Sequence, residues 1–299
     1  MNCLFMYNPQ SGKGIIEKKL KPIREKLLKH YDTVDIYKTE KPKDMQRKAS
    51  EACGVYDVII FGGGDGSFNE VLQGIAEKEN RPILGYIPCG TVNDIARALK
   101  IPRTIKKALK NAINGIEKNI DIMKVNDSYA MYCVCAGAFT SASYLAPQNE
   151  KKVFGRIAYG LQGIRNNIPF KNFTIKFDSE SHHYETETVF VLVMNGKSVA
   201  GFRINGDGSM NDGKLEVIIV KQQPNPTFLK KIKAFFNVLK VFLIGYKRLK
   251  EKEIERVEGS HFVFKTNEEV IWNFDGEKGI SGNIKIDVLP EHISLIVPK

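Results

Sequence analysis

Two hydrophobic patterns alternate over roughly the first 120 residues. Short apolar runs at residues 3–7 (CLFMY), 55–61 (VYDVIIF) and 83–87 (ILGYI), with a strand-like stretch at 33–37, predict strands. Between them apolar positions recur at helical spacing. Ile16, Leu20, Ile23 and Leu27 predict a helix over 17–29, and further helices are predicted over 45–52, 69–77, 92–99 and 105–115. Such alternation predicts a parallel sheet with helices on both faces, its ligand lying off the carboxyl ends of the strands.

From about Met123 the texture changes. Residues 125–136, 173–177, 184–194, 214–220, 261–265 and 270–273 read as strands separated by Gly, Asn and Asp, with two more strand-like pieces in 284–297. This predicts an all-β second domain, interrupted by helical inserts near 155–166 and 227–252. The boundaries read as 1–122 for the α/β domain and 123–286 for the β domain, with a last strand at about 287–299 free to return to the first. There is no internal repeat and no low-complexity tract.

The second insert bears on function. Phe228, Ile232, Phe235, Leu239, Phe242, Tyr246 and Leu249 are spaced alternately by four and three residues, and Lys230, Lys231, Lys233, Lys240, Lys247, Arg248 and Lys250 crowd the other positions. A basic amphipathic helix can lie in a membrane interface, here with Lys151–Arg156 and Arg165 beside it. The same stripe would equally serve to cover a sandwich, its lysines facing water.

Composition narrows the class. With 42% hydrophobic and 26% charged residues, the 299-residue chain has ample core. No apolar run reaches the ~20 residues of a spanning helix. Residues 1–7 run straight into Asn8-Pro9 without a basic n-region or a cleavage site, so no signal peptide is read. Cys3, Cys53, Cys89, Cys133 and Cys135 lack C-x-x-C spacing and read as reduced thiols of a cytoplasmic protein. His182 and His183 would point to opposite faces of a strand, which argues against shared metal ligation. Basic residues exceed acidic ones by 45 − 34 = 11, and the pI is about 9.2. That excess suits a polyanion: nucleic acid, an anionic membrane or a phosphorylated substrate. No RNP-type or helix-turn-helix pattern supports nucleic acid.

Three turns follow predicted strands. In Gly62-Gly63-Gly64-Asp65-Gly66-Ser67-Phe68-Asn69-Glu70 an apolar strand runs into glycines and then a helix. Glycines let backbone N–H groups approach phosphate oxygens, and the helix N-terminus adds positive potential. The pattern is neither G-x-G-x-x-G nor G-x-x-x-x-G-K-[ST], which disfavours a dehydrogenase and a P-loop ATPase. Asp65 within such a turn would repel a bare anion, which points to Mg²⁺ or phosphoryl transfer. A second turn is Pro88-Cys89-Gly90-Thr91-Val92-Asn93-Asp94, and a third is Asn8-Pro9-Gln10-Ser11-Gly12-Lys13-Gly14. Taken by itself, Asp275-Gly276-Glu277 reads as a hairpin turn.

N-P-x-S-G-K-G, G-G-G-D-G-S-x-N-E, P-x-G-T-x-N-D, a later N-D-G-K-L and a late D-G-E occur in this order from Asn8 to Glu277. That resembles the diacylglycerol kinase catalytic-domain family, especially its soluble bacterial lipid kinase branch. The resemblance implies a Rossmann-like, doubly wound nucleotide domain, a C-terminal β-sandwich and a cleft between them, the NAD kinase/diacylglycerol kinase-like fold. It implies ATP-dependent phosphorylation of a lipid hydroxyl, diacylglycerol to phosphatidic acid. ATP contacts would fall on Asn8, Pro9, Gln10, Ser11, Gly12, Lys13, Thr39, Gly63, Gly64, Asp65, Gly66, Ser67, Phe68, Asn69, Glu70 and Thr91. The family's general base matches Glu277, with Asp275 and Asp65 also catalytic. Ser209-Met210-Asn211-Asp212-Gly213-Lys214 resembles a structural Mg²⁺ loop, with main-chain oxygens at Ser209 and Lys214 and a carboxylate at Asp212. Asp94 and Asp121 match acidic positions linked to that metal through water. The chain departs from the family at Asn205–Gly208, at Gly64, which makes a third glycine, and at Ser67, where Thr is commoner. Residues 135–144, with Thr140, Ser143 and Tyr144, are similar to the Gram-positive diacylglycerol kinase. The implied partners are ATP, a membrane lipid and an anionic membrane surface at the inner face of the membrane, without nucleic acid; a homodimer stays open. Phosphatidylglycerol, polyprenols and sphingoid bases compete as substrates. NAD kinases and phosphofructokinases also use a G-G-D-G turn, but this chain lacks the G-x-T-G-S-T-A and G-T-I-D-N-D signatures. A non-catalytic binder is a further alternative, against which stand Asp65, Asp94, Asp212 and Glu277 together.

Overall fold

A computed structural model describes residues 1–138, 172–245, 249, 252–267 and 269–299. They form two compact units, Met1–Asp121 with Glu291–Lys299, and Ile122–Pro290. The expectations on the helix near 155–166, on Lys151–Arg156, Arg165, Thr140, Ser143 and Tyr144, and on Tyr246, Lys247, Arg248 and Lys250 lie outside the described residues.

The first unit runs β1 (Asn2–Tyr7), α1 (Leu20–Leu27), β2 (Thr33–Lys38), α2 (Asp44–Ala52), β3 (Val58–Gly63), α3 (Asp65–Ile75), β4 (Ile83–Pro88), α4 (Asp94–Ala98) and α5 (Ile105–Asn114). Its strands pair in parallel in the order β2-β1-β3-β4, with Phe5 opposite Ile36 and Ile60, and Ile60 opposite Gly85. The returning C-terminus adds Leu295 opposite Leu84, also in parallel. Chain order reverses direction across β1 and β3, the switch point where such sheets bind ligands.

Two helix starts differ from the sequence reading. Residues 17–19 form a short 3₁₀ turn and α1 begins at Leu20. Pro22 explains this: in a helix begun at residue 17 it would lack an interior N–H and clash with a carbonyl, whereas in the first turn its missing donor costs nothing. Helix α3 starts at Asp65 rather than residue 69. Gly64 is its extended N-cap, and Phe68 N–H donates to the Gly64 carbonyl at 3.1 Å. Phe68 draws that first turn inward, packing edge-on against Phe61 (5.4 Å) and Tyr86 (5.2 Å). Each of these buried rings contributes on the order of 2–3 kcal/mol.

The second unit takes up the end of β5 (Ile116–Val125) and continues through β6 (Ser128–Ala130), β7 (Cys133–Gly137), β8 (Phe173–Ser179), β9 (His183–Met194), β10 (Ser198–Val199), β11 (Phe202–Arg203), β12 (Leu215–Lys221), α6 (Phe228–Ile244), β13 (Ile254–Gly259), β14 (His261–Lys265), β15 (Ile271–Phe274), β16 (Glu277–Ser281) and the start of β17 (Ile284–Val297). Among the described residues β9 bonds antiparallel to β7, β8 and β12. Phe177, Phe262, Phe264, Trp272 and the inward residues of β7, β9 and β12 form its core.

The predicted strand over 125–136 is three pieces. Asn126, at φ 50, turns β5 back onto β6, and Met131-Tyr132 separate β6 from β7. Strand β17 is continuous, with Glu291 at φ 47 after Pro290 marking the break that the sequence suggests. Helix α6 stops at Gly245 (φ 79), where a Cβ would meet the Ile204 carbonyl at 2.9 Å. Its buried face is Ala234, Phe235, Asn237, Val238 and Val241, rotated from the predicted stripe; Phe228 is 65% exposed. No described helix is long and apolar enough to cross a membrane.

Candidate functional site

In the first unit the polar turns gather at the carboxyl ends of β1, β3 and β4. After β1, Asn8 N–H donates to the Gly62 carbonyl (3.1 Å), and the Asn8 side chain accepts from Gln10 N–H (2.9 Å). After β3, Gly63 lies so close to Ser67 that a Cβ on it would sit 2.2 Å from the Ser67 side chain. After β4, Cys89 N–H donates to the Gly63 carbonyl (2.9 Å). A Cβ on Gly90 would stand 2.5 Å from the Gly64 Cα, so the two loops touch through bare backbone. Asn93, at φ 54, brackets Gly90: its Oδ1 accepts the Gly90 N–H (2.9 Å) and its Nδ2 donates to the Gly90 carbonyl (2.7 Å).

Asp65 ties the loop after β3 to the loop after β4. Its Oδ1 accepts Ile95 N–H at 3.2 Å, so the carboxylate sits at the N-terminus of α4. Burial raises its pKa, and the N–H groups of Ile95, Asp94 and Asn93 work against that rise. Beside these turns a cleft of about 180 Å³ is lined by Asn8, Gln10, Thr39, Lys41, Ser67 and Glu70, among others. Glu70 shapes its wall by accepting the N–H groups of Lys43 (3.0 Å) and Met45 (3.2 Å) at the start of α2. Thr39 N–H donates to the Tyr7 carbonyl at 3.0 Å. Gly12, at φ 60, lies within the 3₁₀ turn Ser11–Gly14, where a Cβ would approach the Cys89 carbonyl at 2.7 Å. The Lys13 side chain lies outside the described residues. Thr91 is exposed and Asp94 buried. Asp121 is fully buried, accepting Glu291 N–H at 2.7 Å.

Sequence reading leaves out Tyr86. Its hydroxyl donates to the Gly63 carbonyl at 3.2 Å, and its ring stacks on Phe61 at 5.1 Å. The available signal was a phenol inside an otherwise apolar buried strand.

In the second unit, Asp275 and Gly276, at φ 51 and 91, form the two-residue turn joining β15 to β16. Glu277 opens β16 and is exposed. Asp275 is 3% exposed and faces the segment between β6 and β7. It accepts Met131 N–H at 2.6 Å, Tyr132 N–H at 2.9 Å and Cys133 N–H at 3.0 Å. Such a carboxylate holds the turn in place. The loop of Ser209, Asp212 and Lys214 lies elsewhere in this unit. Asp212 is exposed and accepts Lys214 N–H at 3.2 Å, with Gly213 at φ 69 between them. Gly208 closes on the Gly196 carbonyl, where a Cβ would stand at 2.3 Å. Among the described residues no three His, Cys, Asp or Glu side chains cluster as metal ligands.

Residues 2–125 match the family model for the diacylglycerol kinase catalytic domain. Residues 133–297 match that of the YegS C-terminal NAD kinase beta sandwich-like domain. A diacylglycerol kinase of Bacillus subtilis (strain 168) is 32% identical over 297 residues, 98% of this chain and 95% of the relative. One from Staphylococcus saprophyticus is 37% identical over 219 residues, 73% of this chain and 72% of the relative. The crystal structure of a diacylglycerol kinase from Bacillus anthracis str. Sterne superposes with TM-score 0.77 at 25% identity, covering 99% of this chain and 96% of that one. Another structure from that strain gives TM-score 0.82 at 28% identity, over 99% and 95%.

Proposed function

Since this chain belongs to the diacylglycerol kinase catalytic-domain family, we propose that it transfers the γ-phosphoryl group of ATP to the free hydroxyl of diacylglycerol, giving phosphatidic acid and ADP. The observation that carries the nucleotide half is the backbone contact of Gly64 with Gly90, which only glycines permit. It leaves the strand-end loops stripped of side chains at the switch point of a parallel sheet, where N–H groups meet phosphates.

In this reading Asn8, Pro9, Gln10, Ser11, Gly12, Lys13, Thr39, Gly63, Gly64, Asp65, Gly66, Ser67, Phe68, Asn69, Glu70 and Thr91 hold the nucleotide. Glu277 accepts the proton of the lipid hydroxyl as its oxygen attacks the γ-phosphorus and the bond to ADP breaks. An exposed carboxylate at the start of a strand, steadied by Asp275, suits a base that must meet an incoming substrate. Most of the rate comes from positioning and charge neutralisation.

Mg²⁺ fits the oxygen donors available. Asp65 beside a polyphosphate needs a cation between like charges, and the exposed Asp212 with the main-chain oxygens of Ser209 and Lys214 is an all-oxygen set. When bound, Mg²⁺ neutralises phosphate charge at the first place and stiffens the loop at the second.

The lipid reading extends to α6. Leu229 (76% exposed), Phe236 (50%) and Leu243 (62%) recur every seven residues on one face, and no acidic residue interrupts the helix, which carries Lys230, Lys231, Lys233 and Lys240. That face suits an anionic bilayer surface, with the apolar side chains in the interface and the lysines among headgroups. The protein would then sit peripherally on the inner face of the membrane.

Transfer of labelled γ-phosphate from ATP to a panel of micellar lipids tests the reading. Phosphatidic acid from diacylglycerol is the expected product. Preferred labelling of phosphatidylglycerol, a polyprenol or a sphingoid base would overturn the substrate assignment, and labelling of none would overturn the kinase.

A further inference from the structure

One wall of the cleft beside the glycine turns is the segment 39–43, which joins β2 to α2. Glu40, Lys41, Pro42 and Lys43 are exposed, so packing does little to fix them. At its amino end Thr39 N–H donates to the Tyr7 carbonyl (3.0 Å), and Glu40 N–H donates to the Asp44 carboxylate (3.0 Å). The carboxyl end is held from outside. Helix α2 follows Lys43, which is at φ 65 and offers no side-chain cap, so the N–H groups at the helix start need acceptors from elsewhere. Glu70 of α3 supplies both: its Oε1 accepts Lys43 N–H at 3.0 Å and its Oε2 accepts Met45 N–H at 3.2 Å.

The two helices are clamped independently, one turn farther along α3. A Cβ on Gly74 would stand 2.3 Å from the Gln46 carbonyl oxygen, so α2 lies directly on α3. The body of α2 therefore keeps its place without Glu70, and what Glu70 fixes is the segment that precedes it. Helix α3 also carries Asp65 and Ser67 in its first turn. One helix thus presents the glycine turn at its start and anchors a second wall of the cleft just beyond it. The motif resemblance counts Glu70 among the nucleotide contacts, but each of its oxygens already accepts a backbone N–H. A carboxylate turned to polyphosphate would repel it, whereas the N-terminus of α2 favours negative charge.

We propose that Glu70 is a positioning residue for the nucleotide: it sets the affinity for ATP by holding the 39–43 wall against α3, without touching the ligand and without a part in phosphoryl transfer. This deepens the nucleotide reading of the site and rests on it. Glu70→Gln keeps the shape of the side chain but turns an NH₂ toward one of the two N–H groups, donor against donor. The wall then loses one of its ties while the strand-end loops, bonded to each other through Asp65 and Asn93, keep theirs.

The test uses the full chain in three measurements: steady-state kinetics, titration calorimetry with ATP, 2′-deoxy-ATP and 3′-deoxy-ATP, and hydrogen–deuterium exchange without nucleotide. In Glu70→Gln the KM and Kd for ATP are expected to rise at least about tenfold, with kcat and the KM for diacylglycerol within about twofold of wild type. Peptides covering residues 39–45 should exchange faster before any nucleotide is added, those of β3 and β4 should not, and all three nucleotides should weaken by the same factor. A fall in kcat at unchanged KM for ATP would place Glu70 in the transfer step and overturn the proposal. A penalty that shrinks for either deoxynucleotide would reveal a direct bond to the ribose and overturn it too, as would unchanged exchange over 39–45. If Glu70→Gln fails to fold, Glu70→Asp, too short to span both donors, must show the same loosening and the same rise in KM; wild-type values there are equally fatal. A chain that binds ATP and loosens in this way but labels no lipid would reject the lipid kinase and keep this role for Glu70, whereas a wild type that binds no ATP would reject both.

Discussion

Asp275→Asn separates two roles for the most heavily bonded carboxylate near Glu277. In the wild type one oxygen accepts Met131 N–H and the other accepts Tyr132 and Cys133 N–H, all within 3.0 Å and shielded from water. Asparagine keeps the shape but has a single accepting oxygen. If that oxygen serves Tyr132 and Cys133, its NH₂ faces the Met131 N–H, donor against donor. Two buried donors then go unmet, at about 1–3 kcal/mol each. Some relaxation brings the expected loss to about 2–4 kcal/mol, and Asp275→Ala, which abandons all three N–H groups, should lose more. The assay is built in: the single tryptophan, Trp272, is fully buried on β15 and donates to the Gly282 carbonyl at 2.8 Å. Its fluorescence during urea unfolding reports the unit that holds Asp275, which matters because two compact units need not unfold together. Turnover should fall as well, by about 100-fold, since Glu277 sits two residues beyond the loosened turn. A reacting Asp275 would behave differently, losing turnover with the Trp272 transition in place. A transition shifted by less than about 0.5 kcal/mol in Asp275→Asn would refute the positioning argument.

Gly90→Ala puts a methyl group 2.5 Å from the Gly64 Cα, so the KM for ATP should rise at least about tenfold. Gly206→Ala, with nothing within 4 Å of its added Cβ, should be silent in the same kinetics; equal effects would discredit the loop contact. Burial is the main cause that holds His292 below its usual 6.5, the Ala76 carbonyl at 2.7 Å opposing it and Arg81 reinforcing it. The unfolded chain therefore binds the extra proton first, and stability falls as pH drops through 6.5 toward the folded value. Melting temperature should drop more between about pH 7.5 and about 5.5 in the wild type than in His292→Gln; parallel curves would contradict this. Sedimentation with anionic vesicles should fall at least about fivefold in a Leu229→Ser, Phe236→Ser, Leu243→Ser variant and in Lys230→Glu, Lys231→Glu, Lys233→Glu. Unchanged sedimentation in both would remove α6 from the membrane contact.

What the sequence made legible is what local chemistry dictates. Apolar runs located β1, β3 and β4, and glycines located the turns after them, because a strand end needing bare backbone admits few residues. The Asp-Gly pair announced the β15–β16 hairpin for the same reason. Illegible features depend on partners far along the chain. Short strands such as β13 and β16 carry charged residues at several positions, and the antiparallel pairing of β13 with β12 is what makes it a strand. On α6 nearly every position is apolar or lysine, so several faces satisfy a helical period; only packing on β11 and β12 decides that Phe235 is buried and Phe236 exposed. Asp275 and the amides of residues 131–133 lie more than 140 positions apart. No spacing rule reaches that far, and a sequence motif cannot say whether its two carboxylates share one task. The hydrogen bonds argue for a division of labour: a carboxylate whose oxygens are committed to three backbone donors is poorly suited to take a proton, while its neighbour at Glu277, exposed at the head of a strand, is not so committed. On the proposed mechanism, then, D-G-E divides into a fixture, Asp275, and a base, Glu277, and the glycine between them lets the turn bring both onto one hairpin.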